Sequence, residues 1–162
     1  TFGKIIGGGT PIGAVAGAAD ILNLLEKQQV LQGGTFSGNP LSMAGGLATL
    51  EVLNNSDVYQ VLDQKSEFLE KEFRGSSLTD KIQLVRYYST FAFQFGDAPA
   101  TNYEEATRIG KNAYGYIYRA CRDSNIHLPP DYLEPLHLSL ATSENSISQL
   151  ILTVERAYND FN

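Results

Sequence analysis

Eleven of the chain's fifteen glycines fall within residues 1–50, and that stretch holds only four charged side chains, Lys4, Asp20, Glu26 and Lys27. Glycine frees the backbone and adds no side chain. Such density without charge places backbone close against something else: a cofactor, a partner chain or the rest of a core. Residues beyond 50 carry nearly all the remaining charge. The two parts differ in physical kind, and the chain reads as two parts that divide near 55/56, the second a small α/β domain. A length of 162 residues suits one domain, or a small domain plus a piece of another. The first residue is Thr and lies inside the glycine-rich motif. The expectation is therefore a fragment of a longer polypeptide.

Composition narrows the function. Apolar residues make up 43%, enough for a packed core. The formal charge of -6 repels phosphate backbones and disfavours nucleic acid. No run reaches the ~18 apolar residues that a membrane span needs. Cys121 is the only cysteine, so neither an internal disulfide nor a cysteine metal cluster can form; this fits a reducing, cytoplasmic setting. His127 and His137 lack a helical partner at i, i+4 and read as structural or surface residues, so no metal site is expected.

Periodicity outlines the elements. Residues 12–16 read as a short buried strand and 18–25 as a short helix. Asn39 and Pro40 form an N-cap and first-turn pair opening a helix to about 54. Its Gly45-Gly46 pair predicts close helix–helix contact. Ser56 opens a further helix to about 73, with Val58, Val61, Leu62 and Leu69 on one face. Strands are expected near 82–88 and 91–95, and a helix from a Thr101/Glu104 capping box to about 122. Leu136, Leu138 and Leu140 alternate as a strand. Ser143 caps a last helix striped by Ile147, Leu150, Ile151, Val154, Ala157 and Tyr158. From residue 56 onward the order is helix, strand, strand, helix, strand, helix: a small sheet covered by helices, α+β within an α/β protein. Tyr114, Tyr116 and Tyr118 spread around their helix as packing residues, and Cys121 lies on its inner side. Glu67 to Glu72 and Glu104-Glu105 read as solvated faces.

Two segments can carry chemistry. In Gly3-Lys4-Ile5-Ile6-Gly7-Gly8-Gly9-Thr10-Pro11-Ile12-Gly13 the lysine precedes the glycines, so this is no P-loop. Ile12 stands where a dinucleotide fingerprint needs glycine. By spacing alone Lys4 is either an ordinary exposed lysine or an amine whose surroundings activate it toward a carbonyl. In Gly33-Gly34-Thr35-Phe36-Ser37-Gly38-Asn39-Pro40-Leu41, small hydroxyls and free N–H groups stand before a helix N-terminus. That arrangement suits a phosphate, or serves only as a flexible approach to a cap.

Together the two segments, about 30 residues apart, resemble the class III aminotransferases among the fold-type I pyridoxal-phosphate enzymes. The resemblance implies the C-terminal part of such a fold. It places Lys4 at the Schiff-base position and implies that Gly34 and Thr35 bind the cofactor. Thr35 would hydrogen-bond its phosphate, typically that of the neighbouring subunit of a homodimer. It also implies that the aspartate, aromatic ring and phosphate-binding turn of the cofactor site lie upstream, leaving this polypeptide alone with little activity. Within the family, Ser37-Gly38-Asn39-Pro40-Leu41-Ser42-Met43-Ala44-Gly45-Gly46 looks most like the aminomutase branch, which moves an amine within one amino-aldehyde. Leu128-Pro129-Pro130-Asp131-Tyr132-Leu133-Glu134 is similar to that branch's entrance segment and makes Glu134 a substrate-site candidate. Leu136-His137 and Leu140-Ala141-Thr142 depart from its pattern. The alternatives are an aminotransferase of ω-amino acids or amino ketones, and a non-catalytic dimerisation module.

Overall fold

A computed structural model describes residues 1–55, 57–108 and 110–161. The chain divides into two units, 1–58 and 59–162.

In the first unit, β1 (Phe2–Gly3) pairs antiparallel with β2 (Gly13–Ala14), with Phe2 opposite Ala14 and Gly3 opposite Gly13. The residues between them fold into a one-turn 3-10 helix, Lys4–Gly7, and a glycine turn. Then come α1 (Ala19–Glu26) and α2 (Pro40–Asn55). The α2 N-terminus forms as the sequence predicts: Asn39 Oδ1 accepts from the Leu41 N–H at 2.9 Å and more weakly from Ser42 at 3.4 Å. The buried strand expected at 12–16 shrinks to two exposed residues, because it pairs with only two residues of β1. The Gly45-Gly46 pair meets the 3-10 helix, not another helix.

The second unit holds the core. Ser56, expected to open its first helix, lies outside the described residues; α3 spans Val58–Arg74. It is amphipathic, burying Leu69 and Phe73, with Val61 and Leu62 half-buried. Lys71 and Arg74 occupy its last turn, where cations suit the helix dipole. Strands β3 (Gln83–Tyr87) and β4 (Thr90–Gln94) form a hairpin with Tyr87 opposite Thr90. Tyr88 begins its two-residue turn at φ 50°, the left-handed geometry that tight hairpins use. Strand β5 (Leu136–His137) adds to β4, giving the order β3-β4-β5. It is shorter than the Leu136–Leu140 alternation predicts. Leu138 still donates to Ser89 O at 2.9 Å, but Leu140 is exposed.

The single helix expected over 101–122 is two, α4 (Tyr103–Thr107) and α5 (Lys111–Asp123). Gly110, at φ 91°, turns the chain between them. The cap sits one residue later than expected: Asn102 Oδ1 accepts from Glu105 N at 3.0 Å, and the Glu105 carboxylate accepts from Thr101 N at 2.8 Å. The N–H of Thr101 and then its hydroxyl hold the Glu105 carboxyl below its usual range, with a smaller contribution from the Asn102 side chain, so it is not merely a solvated face. Glu70 and Glu72 also depart from that expectation. Glu70 pairs with Arg86 at 3.1 Å, and Glu72 accepts from Ser148 Oγ at 2.6 Å.

Last, α6 (Glu144–Phe161) starts at Ser143, whose Oγ accepts from Ser146 N at 3.1 Å. Its stripe Ile147, Leu150, Ile151, Val154 and Ala157 is buried as expected, with Tyr158 packed at the margin. Helices α3, α5 and α6 and the sheet share one apolar cluster that includes Ile82, Phe91, Phe93, Ile117 and Cys121. Each fully buried aliphatic side chain there contributes roughly 1.5–3 kcal/mol. The first unit has no counterpart: among its described residues the one buried apolar side chain is Val58, where α3 begins.

Candidate functional site

Lys4 leaves β1 directly and begins the 3-10 helix. Its φ is 52°, a left-handed value that costs a non-glycine residue about 1 kcal/mol or more. The strand pairing before it and the turn after it enforce that conformation. Thr10 Oγ1 donates to Gly7 O at 2.6 Å and Thr10 N donates to the same oxygen at 3.1 Å. The Lys4 side chain is exposed, and its amine has no hydrogen bond or ion pair with described residues.

The turn after Lys4 rests on α2. A Cβ on Gly45 would stand 2.9 Å from Gly7 O, and one on Gly46 3.0 Å from Ile6 O. Gly45 lies about 8 Å along the axis from Pro40, at 1.5 Å per residue. The same helix therefore carries the lysine turn on its flank and the second motif at its start. In that motif Ser37 N donates to Gly34 O at 2.9 Å, and Gly38 takes φ 67° to enter the cap. Gly34 and Thr35 are exposed, and the Thr35 hydroxyl has no protein partner among described residues. A free primary amine, a free hydroxyl and backbone N–H groups at a helix N-terminus are the donor set that a phosphorylated aldehyde requires. The residues present fit pyridoxal phosphate.

Glu134 belongs to the second unit, in a loop without regular structure that is nonetheless pinned. Tyr114 Oη donates to Pro129 O at 2.6 Å and Tyr132 Oη to Thr107 O at 3.1 Å. Asp131 braces the loop, its Oδ1 accepting from Leu133 N at 3.0 Å and its carbonyl from Glu134 N at 3.1 Å. The Glu134 side chain is exposed. Burial pushes the Tyr114 phenol up to about 12, with smaller contributions from nearby Cys121, Asp131 and Glu134. Sequence reasoning took Tyr114 as packing only and missed this tie. The one available signal was its inward position among the three tyrosines.

A cavity of about 640 Å³ lies between α3 and β3, lined by Asp63, Glu70, Arg74, Arg86 and Tyr87, and contains none of the predicted site residues. Its charges are satisfied internally: Arg86 donates to Glu70, Asp63 and Ser66. His127 is exposed, and His137 Nδ1 lies 3.1 Å from Thr90 Oγ1. No group of three or more His, Cys, Asp or Glu that could hold a metal occurs among the described residues. None of the described helices is long and apolar enough to cross a membrane.

The family model of class III aminotransferases matches residues 1–144. The chain belongs to that family, and its fold is that of the fold-type I aminotransferases. Among its relatives is the glutamate-1-semialdehyde 2,1-aminomutase of Sulfurihydrogenibium azorense, 35% identical over 99% of this chain and 38% of the relative. The protein of the same name from Ruminiclostridium cellulolyticum is 37% identical over 96% of this chain and 37% of its own length. The chain thus spans well under half of these relatives. The β-phenylalanine aminotransferase of Variovorax paradoxus superposes with a TM-score of 0.82 at 22% identity, covering 98% of this chain and 37% of that one. The FumI protein of Sphingopyxis sp. MTA144, solved in its PLP internal aldimine form, superposes at 0.74 with 17% identity, over 98% of this chain and 35% of its own.

Proposed function

We propose that this chain carries the cofactor lysine and small domain of a pyridoxal-phosphate-dependent aminomutase that converts glutamate-1-semialdehyde to 5-aminolevulinate for tetrapyrrole synthesis. The observation that carries the reading is Lys4: an exposed amine without a protein partner, held at a left-handed φ by the strand before it and the glycine turn after it. The names of the relatives support the choice of substrate.

When bound, pyridoxal phosphate supplies an aldehyde that captures amines and a ring that withdraws electrons from the adjacent carbon. The protein positions it and handles protons. Lys4 Nζ would anchor the aldehyde and, when not engaged there, would carry a proton from one carbon to another. Gly34, the Thr35 hydroxyl and the α2 N-terminus hold the phosphate, in our reading that of a second subunit. The exposure of Phe36, Leu41, Met43, Leu47 and Leu50 supports such a partner. Glu134 serves the substrate entrance. Residues 1–55 end the large domain and 56–162 form the small one. The lone cysteine supports a cytoplasmic setting.

Because the chain spans 37–38% of its aminomutase relatives, the 162 residues alone are expected to turn over little or nothing. The departures at Leu136-His137 and Leu140-Ala141-Thr142 keep a second reading, a class III ω-aminotransferase. Supplying glutamate-1-semialdehyde to the whole protein of which this chain is proposed to be a part separates the two. Formation of 5-aminolevulinate without a keto acid, lost in Lys4→Ala, supports the aminomutase. Amine exchange that requires an added keto acid overturns it in favour of the aminotransferase.

A further inference from the structure

We infer that Gly45 and Gly46 of α2 are positioning residues for Lys4, an inference that rests on the cofactor role proposed above. Glycine inside a helix costs about 1 kcal/mol relative to alanine, and two in succession need a compensating reason. The reason here is a backbone-to-backbone fit. The carbonyls of Ile6 and Gly7 stand 3.0 and 2.9 Å from where the β-carbons of Gly46 and Gly45 would be. The fit is reciprocal: a Cβ on Gly8 would stand 2.5 Å from Thr49 Oγ1 and 3.0 Å from Gly45 O. Thr49 Oγ1 in turn donates to Gly45 O at 2.9 Å, leaving the helix wall smooth where the turn rests. These neighbours are mostly main chain, which cannot swing aside as a long side chain can. An alanine at either position must lift the 3-10 helix that Lys4 begins. With β1 fixing the residue before it, the displacement falls on the Lys4 backbone and redirects its amine.

The test reads where pyridoxal phosphate attaches, not turnover. The whole protein of which this chain is proposed to be a part is treated with pyridoxal phosphate, reduced with borohydride and digested, and the label on each lysine is measured by mass spectrometry. Lys27, Lys65, Lys71, Lys81 and Lys111 are internal references. The wild type should place most of its label on Lys4. Gly45→Ala and Gly46→Ala should each lower the Lys4 share about tenfold with the other lysines unchanged. Gly17→Ala, whose added carbon meets only Leu22 Cγ at 3.9 Å, should leave it alone. Helicity by circular dichroism checks that the variants fold. If the α2 variants unfold, Gly7→Ala decides. Its Cβ would strike Ile12 Cγ2 at 2.6 Å, so it should lower the Lys4 share, and adding Ile12→Ala should restore it. Wild-type labelling of Lys4 in folded Gly45→Ala, or no restoration by Ile12→Ala, overturns the inference. A wild type with no preference for Lys4 fails differently: it sinks the cofactor assignment itself and this inference with it.

Discussion

Gly110→Ala should destabilise the second unit by roughly 2–5 kcal/mol, the sum of two costs. The first is conformational: Gly110 sits at φ 91°, and a left-handed backbone costs an alanine about 1–2 kcal/mol. The second is steric. The new Cβ would stand 2.5 Å from Phe95 Cδ2 and 3.1 Å from Phe95 Cβ and Cγ, where carbon atoms prefer about 3.5–4.0 Å. The ring cannot retreat freely, since it packs against Tyr114 on its edge and stacks on Tyr158, with centroids 6.4 and 6.2 Å away. Overpacking of this kind costs about 1–3 kcal/mol. Urea unfolding followed by circular dichroism reads the effect, and with a slope of roughly 1–3 kcal/mol/M the midpoint should fall by about 1–3 M. A double-mutant cycle with Phe95→Ala separates the costs. Without the ring, Gly110→Ala should cost only the conformational part, giving a coupling equal to the steric part, about 1–3 kcal/mol, within the range for residues in contact. A loss below about 0.5 kcal/mol, the level of an ordinary surface substitution, or an equal loss with and without the ring, refutes the reasoning.

At alkaline pH, burial raises Tyr114 to about 12 and Cys121 to about 11. Both must stay neutral in the fold. The stability this gives is complete below their unfolded values of 10 and 9 and is lost as pH rises through the folded ones, so base titration should show unfolding across that window. In the native protein Cys121 should resist a thiol reagent that labels it at once in urea. Lys65 Nζ donates to Leu140 O and Thr142 O, both at 2.5 Å, and to Ser139 O at 3.3 Å. Lys65→Met should cost roughly 1–3 kcal/mol and speed amide exchange in residues 139–142; unchanged exchange there would show that the ammonium does not hold the loop. On the acid side, Ser77 holds the Glu155 carboxyl below its usual 4.5 through its hydroxyl and its N–H. That contribution is present above pH 4.5 and disappears as pH falls through the lower folded value, so Glu155→Gln should flatten the acid limb of a stability–pH curve.

The second unit was legible in the sequence wherever one element alone decides its own face. The α6 stripe and the Ser143 and Asn39 caps appear where periodicity and capping chemistry put them. The errors come from contacts between elements. Nothing local in residues 101–122 announces that Gly110 must turn where Phe95 presses against it. Alternating leucines cannot reveal that only Leu136 and His137 find partners on β4. Glu70 looks solvated until Arg86 arrives from a strand sixteen residues away.

The candidate site obeys a different rule. Its residues are proposed from motif resemblance, because a lone lysine and a glycine-threonine turn have no periodicity to betray them, and their geometry came only with the structure. Lys4 owes its conformation to a two-residue strand pair and to two helical glycines more than forty residues away. The same glycines that weaken α2 as a helix let main chain approach main chain. No side chain packing against it is needed, so the segment can hold a strained lysine without burying any large apolar residue of its own. Low charge, high glycine content and exposed apolar side chains occur together in the first unit, which is what the proposed contacts with an upstream domain and a second subunit require.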